Sequence, residues 1–203
     1  ILPPDINRGM YGFSVDKGAI RYALSAIKSI GRPVIEGIVR EREEHGEYTS
    51  LKTFVERNIN QINKRVVENL IKAGALDCLE GNRKQKMFVY PQIIDSINQD
   101  KKHSMAGQMS LFDIVSEEDK KEFEIRMPQI AEYTNDVILA FEKDVLGIYL
   151  SGHPLEQYRS MMEKMISART IDFQPSDEDD REGGEPDESK VRDNQKVIIG
   201  GMI

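Results

Sequence analysis

Lys28-Ser29-Ile30-Gly31-Arg32 is the stretch that most constrains this chain. Before it, Ile20, Ala23, Leu24 and Ile27 recur at helical spacing, and after it so do Val34, Ile35 and Ile38. Five residues between two helical patterns leave room only for a tight turn, so 19–44 reads as a helix, a hairpin and a second helix. Gly31 can take the positive φ that such a turn often requires, and Pro33 suits the first position of the next helix. That helix would aim unpaired backbone N–H groups and the positive end of its dipole out of the turn. Lys28 and Arg32 flank the opening, which makes a phosphate a natural occupant. An ordinary αα-hairpin with a solvated turn fits the same residues.

The pattern recurs further on. Thr49 or Ser50 can cap a short helix through Arg57, with Leu51, Phe54 and Val55 inward. Asn63 then caps a helix over 64–72 whose buried stripe is Val66, Val67, Leu70 and Ile71, with Arg65 and Lys72 on the opposite side. Gly74 can serve as its left-handed C-cap. Another helix is predicted over 83–98, and its first turn carries Arg83, Lys84 and Lys86. Cations there oppose the helix dipole, a local cost that an arriving anion would relieve. Two such units packed together predict a compact domain of four or five helices with both turns on one side. Each turn would offer N–H groups and cations to successive duplex phosphates, contacts that position a protein without reading sequence.

Charge is segregated in a way the net value of −7 conceals. Between Arg57 and Lys86 there are seven basic residues to three acidic, whereas from Asp172 to Glu188 there are nine acidic to one basic. That division suits nucleic-acid contact at the front and solvated linkers behind. A single cysteine, Cys78, excludes an internal disulfide and fits a reducing compartment. His45, His103 and His153 are scattered without metal-ligand spacing, and no apolar run is long enough for a membrane span. Glu41, Glu43, Glu44 and the Asp177–Asp180 run read as solvated surface, not as a magnesium site. Behind the helical domain, 99–107 is polar and small and reads as a linker. A helix is predicted over 130–149, and another from Pro154 to Met165 with Met161, Met162 and Met165 as packing residues. Residues 174–195 read as a flexible acidic loop, and 196–203 as the start of a strand. The opening at Ile1 and the close inside that strand suggest a piece of something longer.

Four segments also occur in a distinctive order: Ile1-Leu-Pro-Pro-Asp-Ile-Asn7, Ala26-Ile-Lys-Ser-Ile-Gly31, Leu70-Ile-Lys-Ala-Gly-Ala-Leu-Asp77 and Leu146-Gly-Ile-Tyr-Leu-Ser-Gly-His-Pro-Leu155. Together they resemble the C-terminal half of the C-family replicative polymerases of bacteria, the α subunits of DNA polymerase III. The resemblance covers nearly the whole chain. It implies a mainly α fold, a tandem helix-hairpin-helix bundle followed by a helical connector and the first β-strand of a truncated OB-fold. In domains, it implies the end of the fingers region over 1–18, the tandem helix-hairpin-helix DNA-binding domain over 19–99, a linker with a clamp-binding motif over 100–129, the connector over 130–173, the acidic flexible linker over 174–195 and the start of the OB-fold over 196–203.

The implied role is non-catalytic, because the catalytic palm aspartates belong to another part of the family's chain. No cofactor is expected in this segment, although magnesium is expected for the parent polymerase. Expected partners are double-stranded DNA, the β sliding clamp and the remainder of the polymerase and its holoenzyme, in the bacterial cytoplasm and away from any membrane. The DNA-binding candidates are Lys28, Ser29, Ile30, Gly31, Arg32, Arg65, Lys72, Arg83 and Lys84. Gln108-Met-Ser-Leu-Phe112 resembles the family's internal clamp motif, with Gln108 offering an amide at a pocket rim and Leu111 and Phe112 burying apolar surface. One departure stands out: a helix-hairpin-helix turn usually has glycine on both sides of its apolar residue, whereas Ser29 precedes Ile30 here. Two other readings remain, a free-standing helix-hairpin-helix adaptor of repair or recombination, and a scaffold between polymerase parts.

Overall fold

The structure, a computed structural model, describes residues 1–105, 125–173, 191–192 and 194–201. It divides into two compact units, 1–152 and 153–203.

The first unit opens with a hairpin where the spacing predicts helix. β1 (Ser14–Asp16) pairs antiparallel with β2 (Ala19–Arg21), Val15 facing Ile20 and Asp16 facing Ala19. Lys17 and Gly18 form the two-residue loop at φ of +50° and +78°, the mirror-image turn whose twist suits a hairpin. Leu2 then joins β2, donating its N–H to Ile20 O at 2.7 Å and accepting from Tyr22 N at 3.0 Å. Backbone pairing therefore claims residues that a helix would have used, and only Leu24–Ala26 turns, as a single 3-10 turn. The helical spacing of Ala23, Leu24 and Ile27 reflects their burial, not a helix, and Ile20 is exposed.

Four helices follow: α1 (Arg32–His45), α2 (Leu51–Asn58), α3 (Lys64–Lys72) and α4 (Arg83–Met105). Ser50 caps α2 by accepting from Thr53 N, and Asn63 caps α3 by accepting from Val66 N. After α3, Gly74 takes a φ of +76° and Ala75 N returns to Leu70 O at 2.9 Å. Leu51, Phe54 and Val55 from α2 and Val66, Val67, Leu70 and Ile71 from α3 enter one core with Ile35 and Ile38 of α1 and Val89, Ile93 and Ile94 of α4. Full burial of each large aliphatic side chain is worth about 2 kcal/mol against exposure. α4 continues seven residues past the expected end at 98, and Lys101 reaches Asn60 Oδ1 at 2.7 Å to hold its later turns against the loop before α3.

No packing boundary falls at residue 18. Ile6 is fully buried in the helical core and donates its N–H to Ala75 O at 2.8 Å. Arg42, buried in α1, donates to the carbonyls of Ile6 and Gly9 at 2.9 Å each. The side-chain amide of Asn7 exchanges two hydrogen bonds with the backbone of Tyr48.

Residues 125–134 run as an extended strap before α5 (Asn135–Leu146), so the helix expected from 130 begins five residues later. Side chains of α4's N-terminal turn hold the strap: Gln85 Nε2 donates to Pro128 O at 2.7 Å and Asn82 Nδ2 to Ile130 O at 3.0 Å. Leu139, Val145 and Leu146 bury as expected, whereas Ala140 and Ile148 are exposed. The buried carboxylate of Glu142 accepts from Leu150 N and Ser151 N at 2.8 and 2.9 Å, and from the Ser151 hydroxyl, closing the turn after α5.

The second unit holds a 3-10 turn (Glu156–Tyr158), α6 (Arg159–Met165) and a further 3-10 turn (Thr170–Phe173). Met161 and Met165 are exposed there instead of packed. Residues 196–201 form no strand: Ile198 O accepts from Ser167 N at 3.0 Å and Ala168 N at 3.4 Å, an isolated exchange without a ladder. The acidic run at 177–180 and the last two residues of the expected strand lie outside the described residues. Among the described residues no helix is long and apolar enough to cross a membrane.

Candidate nucleic-acid interface

The two hairpin turns differ in one respect that decides what each can do. At the first, Gly31 is the N-cap of α1 at φ of −74° and no side chain caps the helix. The left-handed residue is Ser29, at φ of +63°, so the role expected of Gly31 falls two residues earlier. Among the described residues no acceptor reaches the amides of Ser29, Ile30, Gly31 or Arg32. Ile30 is buried and anchors the turn, while Lys28, Ser29 and Gly31 are exposed. The result is an open cluster of N–H donors at the positive end of a helix, the arrangement that favours an anion.

Two elements distant in sequence hold this turn. The carbonyl of Val145, in the last turn of α5, accepts from Lys28 N at 2.9 Å. Asn69 of α3 donates through Nδ2 to Lys28 O at 2.7 Å. Arg65 lies one helical turn before Asn69 on the same side of α3 and is exposed. Neither Lys28 nor Arg65 has an ion-pair partner among the described residues. Arg32 is exposed but engaged, its Nε donating to Glu36 Oε1 at 2.7 Å and its guanidinium lying 4.8 Å from the Tyr11 ring centroid.

At the second turn the corresponding space is filled from within. Arg83 is buried against Gly74, where an added Cβ would come within 2.2 Å of its Nη2. Its guanidinium donates to both oxygens of Asp77, at 2.7 Å to Oδ2 from Nη2, and to Glu142 at 3.5 Å. The N-terminus of α4 is likewise taken: Glu132 of the strap accepts from Arg83 N at 2.7 Å and from Lys84 N at 3.1 Å. Asn82 and Gln85 cap the same turn reciprocally, each side chain accepting from the other's N–H at 2.8 Å. Burial would raise the Glu132 carboxyl, but the amides of Tyr133, Arg83 and Lys84 outweigh it and hold its pKa below the ordinary value. The anion anticipated beside Arg83 and Lys84 is therefore an internal carboxylate.

This corrects the basic excess read between Arg57 and Lys86. Arg57 pairs with Glu41 at 3.0 Å, and Lys64 with Asp95 at 2.8 Å. Lys72 pairs with Glu68 at 2.8 Å and lies over the Phe141 ring, so its charge is already neutralised. Lys86 is fully buried and donates to Gly81 O, so desolvation pushes its pKa down. Lys84 is exposed, 5.5 Å from the Tyr133 ring centroid. Of the nine residues predicted to face DNA, Lys28, Ser29, Ile30, Gly31 and Arg32 form the open turn, and Arg65 is exposed on α3 one helical turn before Asn69. Lys84 stands at the filled one, and Arg83 and Lys72 are committed to internal pairs. Asn69, which braces the open turn, was not visible in the sequence as a site residue, because an asparagine within a helix carries no pattern of its own. Glu41, Glu44 and His45 approach one another within 4.8 Å, but Glu41 is spent on Arg57 and His45. Gln108, Leu111 and Phe112 lie outside the described residues.

Residues 1–86 match the family model described as a helix-hairpin-helix motif. The chain is 36% identical over 172 residues to the DNA polymerase III subunit alpha of Borreliella burgdorferi, covering 84% of this chain and 15% of that protein. It is 36% identical over 181 residues to that of Vibrio cholerae, covering 88% of this chain and 16% of the relative. With that of Escherichia coli K12 the identity is 34% over 180 residues, 87% of this chain and 15% of the relative. The chain thus spans about 15% of the length of these relatives.

Proposed function

We propose, from the premise that this chain is homologous over most of its length to a segment of bacterial DNA polymerase III α subunits and carries a helix-hairpin-helix motif, that it is a non-catalytic, DNA-gripping and clamp-tethering part of a replicative DNA-directed DNA polymerase. The observation that carries this reading is the open group of amides at Ser29–Arg32 beside Lys28, which has no ion-pair partner among the described residues; Arg65, exposed one turn before Asn69 on α3, is the second cation we assign to it. The phosphate backbone of a duplex fits such a seat without any base being read. The first turn is then the DNA-contacting one, and the second, filled by Glu132 and Arg83, braces the domain. The parent enzyme joins nucleotides with magnesium on residues elsewhere in the polypeptide, in the bacterial cytoplasm, as part of its holoenzyme.

The tether is Gln108-Met-Ser-Leu-Phe112, a short ligand for the β sliding clamp. Two weak attachments joined by one chain raise each other's effective concentration, which supports processive synthesis without extreme affinity at either. The experiment is a titration of a duplex at several salt concentrations, with the Lys28→Ala/Arg65→Ala variant beside the wild type. Each phosphate that a cation no longer neutralises lowers the slope of log K against log salt by about 0.9, so the double variant is expected to lose about two. An unchanged slope would remove the first turn from the interface. In parallel, Leu111→Ala/Phe112→Ala is expected to abolish micromolar binding to the clamp while leaving duplex affinity within about twofold.

A further inference from the structure

The first turn carries a serine where its backbone conformation favours glycine. Ser29 sits at φ of +63°, in the left-handed region that disfavours a Cβ. No hydrogen bond of its own side chain holds it there among the described residues. The peptide before it is fixed instead. Lys28 O and Ser29 N belong to one planar unit, so orienting that carbonyl sets the plane from which Ser29's φ is measured. Asn69 Nδ2 donates to Lys28 O at 2.7 Å, and a carbonyl oxygen can only accept, so a donor must face it. Asn69 is itself buried on α3, 41 residues away in sequence. In a trans peptide the N–H points opposite to the C=O. Drawing Lys28 O toward α3 therefore turns Ser29 N–H away from α3. Val145 O, accepting from Lys28 N, fixes the peptide on the other side.

We propose that Asn69 is the positioning residue of the phosphate seat: its donor holds the Lys28–Ser29 peptide so that a non-glycine residue keeps the left-handed turn and presents its amide outward. This rests on the reading of the first turn as the DNA contact. Asn69 touches no nucleic acid itself; it acts through Lys28 and Ser29.

The test is a cycle of Asn69→Leu, Ser29→Gly and the double variant in the full chain, read by duplex affinity and by denaturant unfolding. Without the donor, the Cβ of Ser29 drives the turn out of the left-handed region, and Asn69→Leu is expected to bind duplex about tenfold more weakly. Glycine has no such drive, so Ser29→Gly in that background is expected to restore affinity to within about twofold to threefold of Ser29→Gly alone. A merely structural asparagine would give the same loss with either residue at 29. Wild-type affinity in Asn69→Leu, or a loss that Ser29→Gly leaves untouched, would overturn the proposal. Should Asn69→Leu fail to fold, Asn69→Asp, of the same shape but without a donor, takes its place. If the wild type binds no duplex, the reading of the first turn fails on its own. The unfolding cycle still decides the Asn69–Ser29 coupling, additive effects rejecting it and non-additive ones supporting it.

Discussion

Arg32 stands at the open turn but gives part of its charge to Glu36, one helical turn along α1. Both side chains are more than half exposed, so this pair adds little to stability. Its effect on an arriving phosphate is larger, since the carboxylate repels the anion and occupies the guanidinium. Glu36→Gln is therefore expected to leave the unfolding midpoint within experimental error and to tighten duplex binding about threefold at low salt, the gain shrinking as salt rises. A competition titration at two salt concentrations checks it, and weaker binding would show that Arg32 needs Glu36 for its orientation. At this scale the sequence was a partial guide. The cations at 28 and 32 are legible from their places on either side of the turn, whereas the burial of Ile30, expected to face DNA, is not. The left-handed residue was not, because the rule that glycine takes positive φ pointed to Gly31, whereas the brace from Asn69 allows Ser29 to do so.

Capping chemistry is local, and for that reason the caps at Ser50 and Asn63 and the turn at Gly74 could be read directly from residue type. The strap could not. Nothing in Pro128–Tyr133 announces that Glu132 will sit on the N-terminus of a helix some fifty residues earlier, although three cations crowding that end did announce an unmet need for an anion. Similarly, the spacing of Ile20, Ala23, Leu24 and Ile27 predicts a helix, but a two-residue loop at Lys17-Gly18 and the pairing with Leu2 decide otherwise, and at three of the four positions it marks burial instead. Glu132 also yields a pH prediction. Its folded pKa lies below the ordinary value near 4.5, so its stabilisation is present above that value and is lost as pH falls through the folded pKa. Glu132→Gln is expected to cost about 1 kcal/mol at pH 7, the scale of a charge at a helix N-terminus. The gap from wild type should close in unfolding curves taken progressively below pH 4.5. A gap that persists at low pH would mean that shape, not charge, seats the strap.

For the molecule, the first unit extends well past the helical domain drawn from the sequence, because residues 125–152 complete it. Val145 and Leu146 are buried in its core, and Tyr22 Oη donates to Leu146 O at 3.3 Å. A chain ending after residue 105 is therefore expected to melt about 10 °C lower, as the loss of two or more kcal/mol implies for a domain of this size. It should also bind duplex about tenfold more weakly, because Lys28 loses its acceptor on α5. Scanning calorimetry and duplex titration check both, and a truncated chain with unchanged affinity would show that α5 is not needed to shape the turn.

The tie from Tyr22 to Leu146 spans 124 residues of sequence. A ribosome adding roughly 5–20 residues per second needs roughly 6–25 s to travel that distance. Until its end the nascent chain carries the turn with Asn69 available but without the Val145 carbonyl that receives the Lys28 N–H. The grip on nucleic acid thus matures late in synthesis, after the segment bearing Gln108, Leu111 and Phe112 has already been made.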